Sequence, residues 1–216
     1  MRQIRANRVY SIPKFIQRKE NDYETCSCKR LTAQARAADN EIIVSNADEM
    51  IDENDPESFV RALSFRKAKD VFDRLFAAGR RDFAVIGSDT VVAFQKDGET
   101  KPVIIGKPKD AKDAVRILSM LSGKTHRVFT GVSVIADIPD ENAAAQCSIR
   151  EKAEIQTECS IQEKAEIQTE CSITEVTFET LSTDEITDYV NSGDPLDKAG
   201  SYGIQGPFGM FVREIR

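Results

Sequence analysis

Apolar residues recur along this chain at two spacings, and each predicts a different kind of element. After Asp55-Pro56, a cap followed by a first-turn proline, Ala68, Val71, Phe72 and Leu75 return at i, i+3, i+4 and i+7 until Gly79. That is one face of a helix. A second helix starts after Asp110, buries Ala114, Val115, Leu118 and Leu121, and stops at Ser122-Gly123. A third opens with the capping box Ser182-x-x-Glu185, runs through Tyr189 and ends near Gly193. Between them, apolar and β-branched runs at 42–45, 83–93, 128–136 and 171–180 predict strands. Strands interleaved with helices give an α/β class with a mixed β-sheet flanked by helices.

Composition narrows the classes of function. A chain of 216 residues, 40% of them apolar, can bury a real core in one domain of ordinary size. Its longest apolar stretches, around Phe83 to Val92 and Val128 to Ala136, fall short of the roughly 20 residues that span a bilayer, so no membrane role is expected. The net charge of −6 is unevenly spread. Residues 1–38 hold nine Lys/Arg against three Asp/Glu, leaving 21 against 33 for residues 39–216. An acidic body argues against nucleic acid as a partner. The basic head reads as a poorly ordered extension, with a mitochondrial presequence as the alternative to a cytoplasmic protein. Five cysteines, an odd number, do not suggest a disulfide framework, and Cys26-x-Cys28 is too tight for a zinc knuckle.

A tandem repeat interrupts the body. Cys147 to Glu158 recurs as Cys159 to Glu170, and a third copy begins at Cys171-Ser-Ile. In a strand an even period returns every copy to the same face, whereas in a helix twelve steps of about 100° turn successive copies by about 120°. The repeat suits a sheet register better, although its Glu, Lys and Ala content also permits a short helix. Two copies are too few for a solenoid and read as an insertion at 147–170.

Candidate chemistry gathers in a few places. The strand Phe83 to Val92 delivers Asp89, and Gly106-Lys107-Pro108 follows in a turn. An acid held at a sheet rim beside a lysine suggests phosphate and a divalent cation. The tail Asp197 to Gly206 carries Gln205 among glycines that let backbone approach a ligand. Each has a plainer reading: a strand-end cap, a solvated turn, ordinary loop glycines, and for Lys67 a helix-surface charge. His126, the one histidine, is read as structural, which disfavours a His-based zinc site or acyl-transfer triad.

Taken together, these segments resemble the Maf family of nucleotide pyrophosphatases, the septum-formation-inhibitor-like proteins. The matching runs are Asp48-Glu49, Leu63 to Ala68, Ile86 to Val92, Gly106-Lys107-Pro108, Leu121 to His126, Thr130-Gly131-Val132 and Asp197 to Gly206. The resemblance implies a Maf/ITPase-like fold over residues 39–216, with the repeat inserted into one strand. It implies hydrolysis of a nucleoside triphosphate to the monophosphate and pyrophosphate. Asp89-Thr90 and Gly203 to Gly206 look like the branch acting on dTTP and UTP, with modified pyrimidine nucleotides as further substrates. It further implies Glu49 and Asp89 as ligands of Mg²⁺ or Mn²⁺, Asp89 as base, Lys67 and Lys107 as phosphate-facing cations, and Thr90 and Gln205 as readers of the pyrimidine. Homodimers are common in the family.

Two departures accompany the match. The family's first strand leads into a Ser-x-Ser-Pro-Arg-Arg loop whose arginine contacts the triphosphate, and no such motif precedes Asp48, where Arg30 and Arg36 are available. The family's closing Val-Val-Gly-Leu-Pro segment does not follow Arg216. The fold is therefore expected to lack the first strand-loop and the C-terminal segment. A second reading follows, a catalytically weak or inactive nucleotide-binding or regulatory protein. A third is an oligomeric scaffold that pairs through the repeat.

Overall fold

The computed structural model describes residues 8–13, 41–96, 98–137 and 165–216. Its elements run β1 (Arg8–Pro13), β2 (Glu41–Val44), α1 (Pro56–Ala77), β3 (Phe83–Phe94), β4 (Val103–Ile105), α2 (Ala111–Leu121), β5 (Thr125–Asp137), β6 (Ala165–Phe178), α3 (Thr183–Asn191) and β7 (Val212–Ile215), with three short 3₁₀ turns between α3 and β7. The sheet order is β2-β1-β3-β5-β6-β7, and β4 adds to β3. The expected α/β layering holds, but the sheet is not mixed in its described pairings. Every one is antiparallel. None of these neighbours needs the helical crossover that a parallel pair requires.

β1 lies inside the segment read from the sequence as a poorly ordered extension, and it pairs with both β2 and β3. The rest of residues 1–38, including Arg30, Arg36 and Cys26-x-Cys28, lies outside the described residues. So does the first copy of the repeat. The end of the second copy and the start of the third form the first part of β6, paired without a break to β5 from Asp137↔Ala165 to Thr125↔Thr177. Among the described residues no helix is long and apolar enough to cross a membrane.

The helices begin as their caps direct. Asp55 accepts from the Ser58 N–H at 2.9 Å and Asp110 from the Asp113 N–H at 2.8 Å. Ser182 and Glu185 complete the capping box, the Ser182 N–H donating to Glu185 Oε2 at 2.8 Å. α2 buries Ile117 with Ala114, Leu118 and Leu121, while Val115 is only half-buried against the same cluster.

β3 is the spine, and its alternation sorts two cores. Odd positions Val85 and Val91 pack with Val60, Ala68 and Val71 of α1. Even positions Val92 and Phe94 pack with α2, α3 and the tail residues Tyr202 and Phe208. Two glycines set how closely α1 lies on the sheet. A Cβ on Gly87 would stand 2.5 Å from the Ser64 carbonyl oxygen, and one on Gly131 would stand 2.3 Å from that of Val60. With no Cβ at either point the helix seats directly on β3 and β5. Ser64 then reaches Ser133 by a buried hydroxyl pair at 2.9 Å.

That close seat carries a charged residue into the interior. The buried positions of α1 are Pro56, Val60, Leu63, Ser64, Lys67, Ala68, Val71 and Phe72, so Lys67 lies within the stripe and not beside it.

Candidate active site

Lys67 is 4% exposed, and a buried ammonium requires anionic partners. It has two. Its Nζ lies 2.5 Å from Asp89 Oδ1 and 3.2 Å from Glu49 Oε1. α1 supplies the lysine, β3 supplies Asp89, and the chain between β2 and α1 supplies Glu49. Asp89 is pushed above the ordinary carboxylate range, chiefly by burial, with Glu49 adding to the rise; Lys67 and, more weakly, Lys107 pull it back. A carboxylate held there is better suited to accept a proton near neutrality than a free one.

Asp89 lies between the stretch of β3 that pairs with β1 and the stretch that pairs with β4. β1 pairs with β3 only as far as Gly87, and β4 takes up the same edge from Val92. Ser88 to Val91 therefore lie where one edge of β3 has no described partner strand, while β5 continues along the other edge. Strand alternation turns Asp89 toward α1 and Thr90 toward the opposite face, where its hydroxyl meets that of Thr130 at 3.0 Å.

Two further segments bear on the cluster. Lys107 is exposed and directly follows β4, close enough to Asp89 to affect its charge. The Gly200 N–H donates to the Gly106 carbonyl at 3.0 Å, tying the tail to that turn. Gly200 has φ +70°, and a Cβ there would stand 2.5 Å from Val92 Cγ2, so conformation and space both call for glycine. Upstream, Lys198 Nζ bonds to Asp194 Oδ1 and Asp197 Oδ1, each at 2.9 Å, and Tyr189 donates to the second oxygen of Asp194 at 2.6 Å. Gln205 is exposed beyond this braced turn, with no hydrogen bond to Thr90.

Of the residues expected to converge, Glu49, Lys67 and Asp89 are in contact and Lys107 acts on Asp89 at longer range. Thr90, the next residue of β3, turns to the opposite face, and Gln205 makes no hydrogen bond to the cluster.

A divalent cation fits two of these side chains in a limited way. Among the described residues no group of three or more His, Cys, Asp or Glu forms a cage. Glu49 and Asp89 are two hard carboxylate donors bracketing a single charge, and Mg²⁺ is commonly held by one or two carboxylates plus substrate phosphates. The site suits an ion that arrives with an anionic ligand.

His126 proves structural in its contacts. It is 3% exposed, its Nε2 lies 2.7 Å from the Tyr202 hydroxyl, and Phe178 packs edge-on against its ring. Burial lowers it from 6.5 to about 4. The unfolded chain therefore takes up this proton at higher pH than the folded one, and the stability due to the neutral imidazole is lost as pH falls from 6.5 to about 4. The expected contribution is on the order of 3 kcal/mol. Guanidinium unfolding across that window should show His126→Gln losing less stability on acidification than the parent.

The described residues form an α/β domain in which a buried lysine is held between two carboxylates. The comparisons with known proteins make the family specific. The model of Maf-like proteins matches residues 27–216, and the chain belongs to that family. It is 37% identical over 179 residues to the dTTP/UTP pyrophosphatase of Agathobacter rectalis, covering 79% of this chain and 74% of that protein. It is 33% identical over 198 residues to the dTTP/UTP pyrophosphatase of Clostridium botulinum (strain Eklund 17B / Type B), covering 89% and 85%. Against that of Geobacillus sp. (strain WCH70) the identity is 38% over 176 residues, covering 81% and 74%.

Proposed function

We propose that this protein hydrolyses dTTP and UTP to the monophosphate and pyrophosphate, with Asp89 as the base. The observation that carries the reading is the buried Lys67 held between Glu49 and Asp89. The names of the relatives support the substrate class. In this reading the protein acts in the cytoplasm on free nucleotides, as a homodimer.

The triphosphate lies with its phosphates toward Lys67 and Lys107. Asp89 accepts a proton from a water aimed at phosphorus in the α–β anhydride. The water oxygen bonds to that phosphorus, the bridging P–O bond breaks, and pyrophosphate leaves with the bridging oxygen and its electron pair. The proton on Asp89 then passes to solvent. Lys67 and Lys107 offset the charge that moves onto the phosphates. Glu49 and Asp89 would hold Mg²⁺ or Mn²⁺, which when bound adds Lewis-acid stabilisation of the phosphoryl oxygens. Thr90 and Gln205 meet the pyrimidine, because a hydroxyl and an amide can each both donate and accept.

Arg61 is occupied by the Thr169 carbonyl at 2.7 Å and by Glu57 at 3.0 Å, so among the described cations of α1 it is Lys67 that meets Asp89.

The test is a nucleotide panel with Mg²⁺ or Mn²⁺, resolving products by ion exchange. Monophosphate and pyrophosphate from UTP and dTTP, with at least about tenfold lower kcat/KM for purine triphosphates, is the expected result. Release of orthophosphate would overturn the reaction proposed. Calorimetric binding of UTP and dTTP without turnover would favour the inactive nucleotide-binding alternative.

A further inference from the structure

Glu49 sits in a stretch with no helix or strand of its own, yet it reaches a buried lysine. Something must fix that stretch. Three side chains on one face of α1, spaced four residues apart, hold the chain from residue 44 to residue 50. Arg74 Nη2 donates to the Val44 carbonyl at 2.7 Å. Asp70 Oδ2 accepts from Ser45 Oγ at 3.1 Å and from the Asn46 N–H at 2.8 Å, and it pairs with Arg74 at 3.0 Å. Arg66 Nη1 donates to the carbonyls of Asp48 at 3.1 Å and Met50 at 2.8 Å, the two residues flanking Glu49.

We propose that Arg66 is a positioning residue for Glu49, gripping the backbone on both sides of it so that its carboxylate meets the Lys67–Asp89 pair. A planar guanidinium presents two N–H bonds from one nitrogen in fixed directions, which suits two carbonyls a residue apart. Spacing of four along the helix lines the three clamps up on one face, alongside a chain that runs in the opposite direction. Lys67, the next residue along α1, faces inward while Arg66 stays exposed. One turn of helix therefore carries both the cation that Glu49 meets and the group that brings Glu49 to it. The consequence for cation binding rests on Glu49 being a ligand, as proposed above.

Calorimetric titration of Mn²⁺ in the presence of a non-hydrolysable UTP analogue tests this without turnover. Arg66→Met should weaken Mn²⁺ binding by about tenfold, the scale seen when groups supporting a metal ligand are lost. The Mn²⁺ concentration for half-maximal rate should rise by a like factor, and kcat at saturating Mn²⁺ should fall less. Arg66→Lys should recover part of the affinity. Because Arg66 acts through Glu49, the double variant Arg66→Met/Glu49→Gln should bind Mn²⁺ no more weakly than Glu49→Gln alone. Unchanged Mn²⁺ affinity in Arg66→Met beside a weakened Glu49→Gln overturns the positioning role and leaves the proposed function standing. Full additivity in the double variant overturns it as well. Normal Mn²⁺ affinity in Glu49→Gln removes Glu49 as a ligand, and the role of Arg66 falls with it.

Discussion

Asp89→Asn is expected to lose pyrophosphate release from UTP by about a thousandfold, within the usual range for removing a general base. The fold should survive. The substitution keeps the shape of the side chain and removes a charge that burial already disfavours, since Asp89 lies above the ordinary carboxylate range mainly through desolvation. Lys67 keeps Glu49 at 3.2 Å as its anionic partner. The melting temperature should therefore stay within a few degrees while kcat collapses. The pH profile of the parent gives the second part of the test. Activity should rise as Asp89 ionises, with an acid limb above the range of an ordinary aspartate. Full activity in the Asn variant would remove Asp89 from its role.

Much of this site could be read before any coordinates. The capping residues Asp55, Asp110 and Ser182 mark helix starts that the structure keeps. β3 was visible as an apolar run because it is buried on both faces, and Asp89 stood out within it as the one acid. Lys67 carried a signal that a surface-charge reading passes over, a lysine at a position where the helical period calls for an apolar residue.

Glu49 was reachable only through the family resemblance, because its stretch has no periodicity and its geometry depends on α1. The clamp of Arg66, Asp70 and Arg74 left no trace in the sequence. Its partners lie between 16 and 30 residues away, and most are backbone groups, which look alike in every sequence. β1, β4 and β7 were missed for a related reason. Strands of six, three and four residues hold too little pattern, and form because a longer strand offers them an edge. Alternation of strands and helices along a chain does not fix strand direction, and the described pairings are antiparallel where a mixed sheet was expected. Of the twelve-residue repeat, Ala165 to Ile173 form the first part of β6, paired to β5.

Lys67→Met is expected to be the most costly single change in both stability and activity. It leaves Asp89 and Glu49 facing each other with the cation between them gone, and breaking a buried pair by removing one partner costs about 3–5 kcal/mol. The two carboxylates differ in how they can respond. Glu49 has a side chain 31% exposed and can turn toward water, whereas Asp89, at 16%, is held by β3. Relief should therefore come from protonating Asp89. Lys67 is the largest influence opposing its burial-driven rise, so removing the lysine must move Asp89 further upward. A carboxyl group whose folded pKa is raised stabilises the fold below its unfolded value and loses that contribution as pH climbs through the folded value. The variant should accordingly be closest to the parent in stability at acid pH and fall away toward neutrality, the reverse of the behaviour expected for His126. Denaturant unfolding at a series of pH values reads this directly. Any residual pyrophosphatase activity should show its acid limb displaced to higher pH. Lys67→Arg tests charge against fit: a guanidinium restores the cation but must fit a site closed by the glycine contacts of α1, so stability should return further than kcat. A Lys67→Met variant with parental stability at neutral pH and an unmoved acid limb would mean that the lysine does not hold the two acids together.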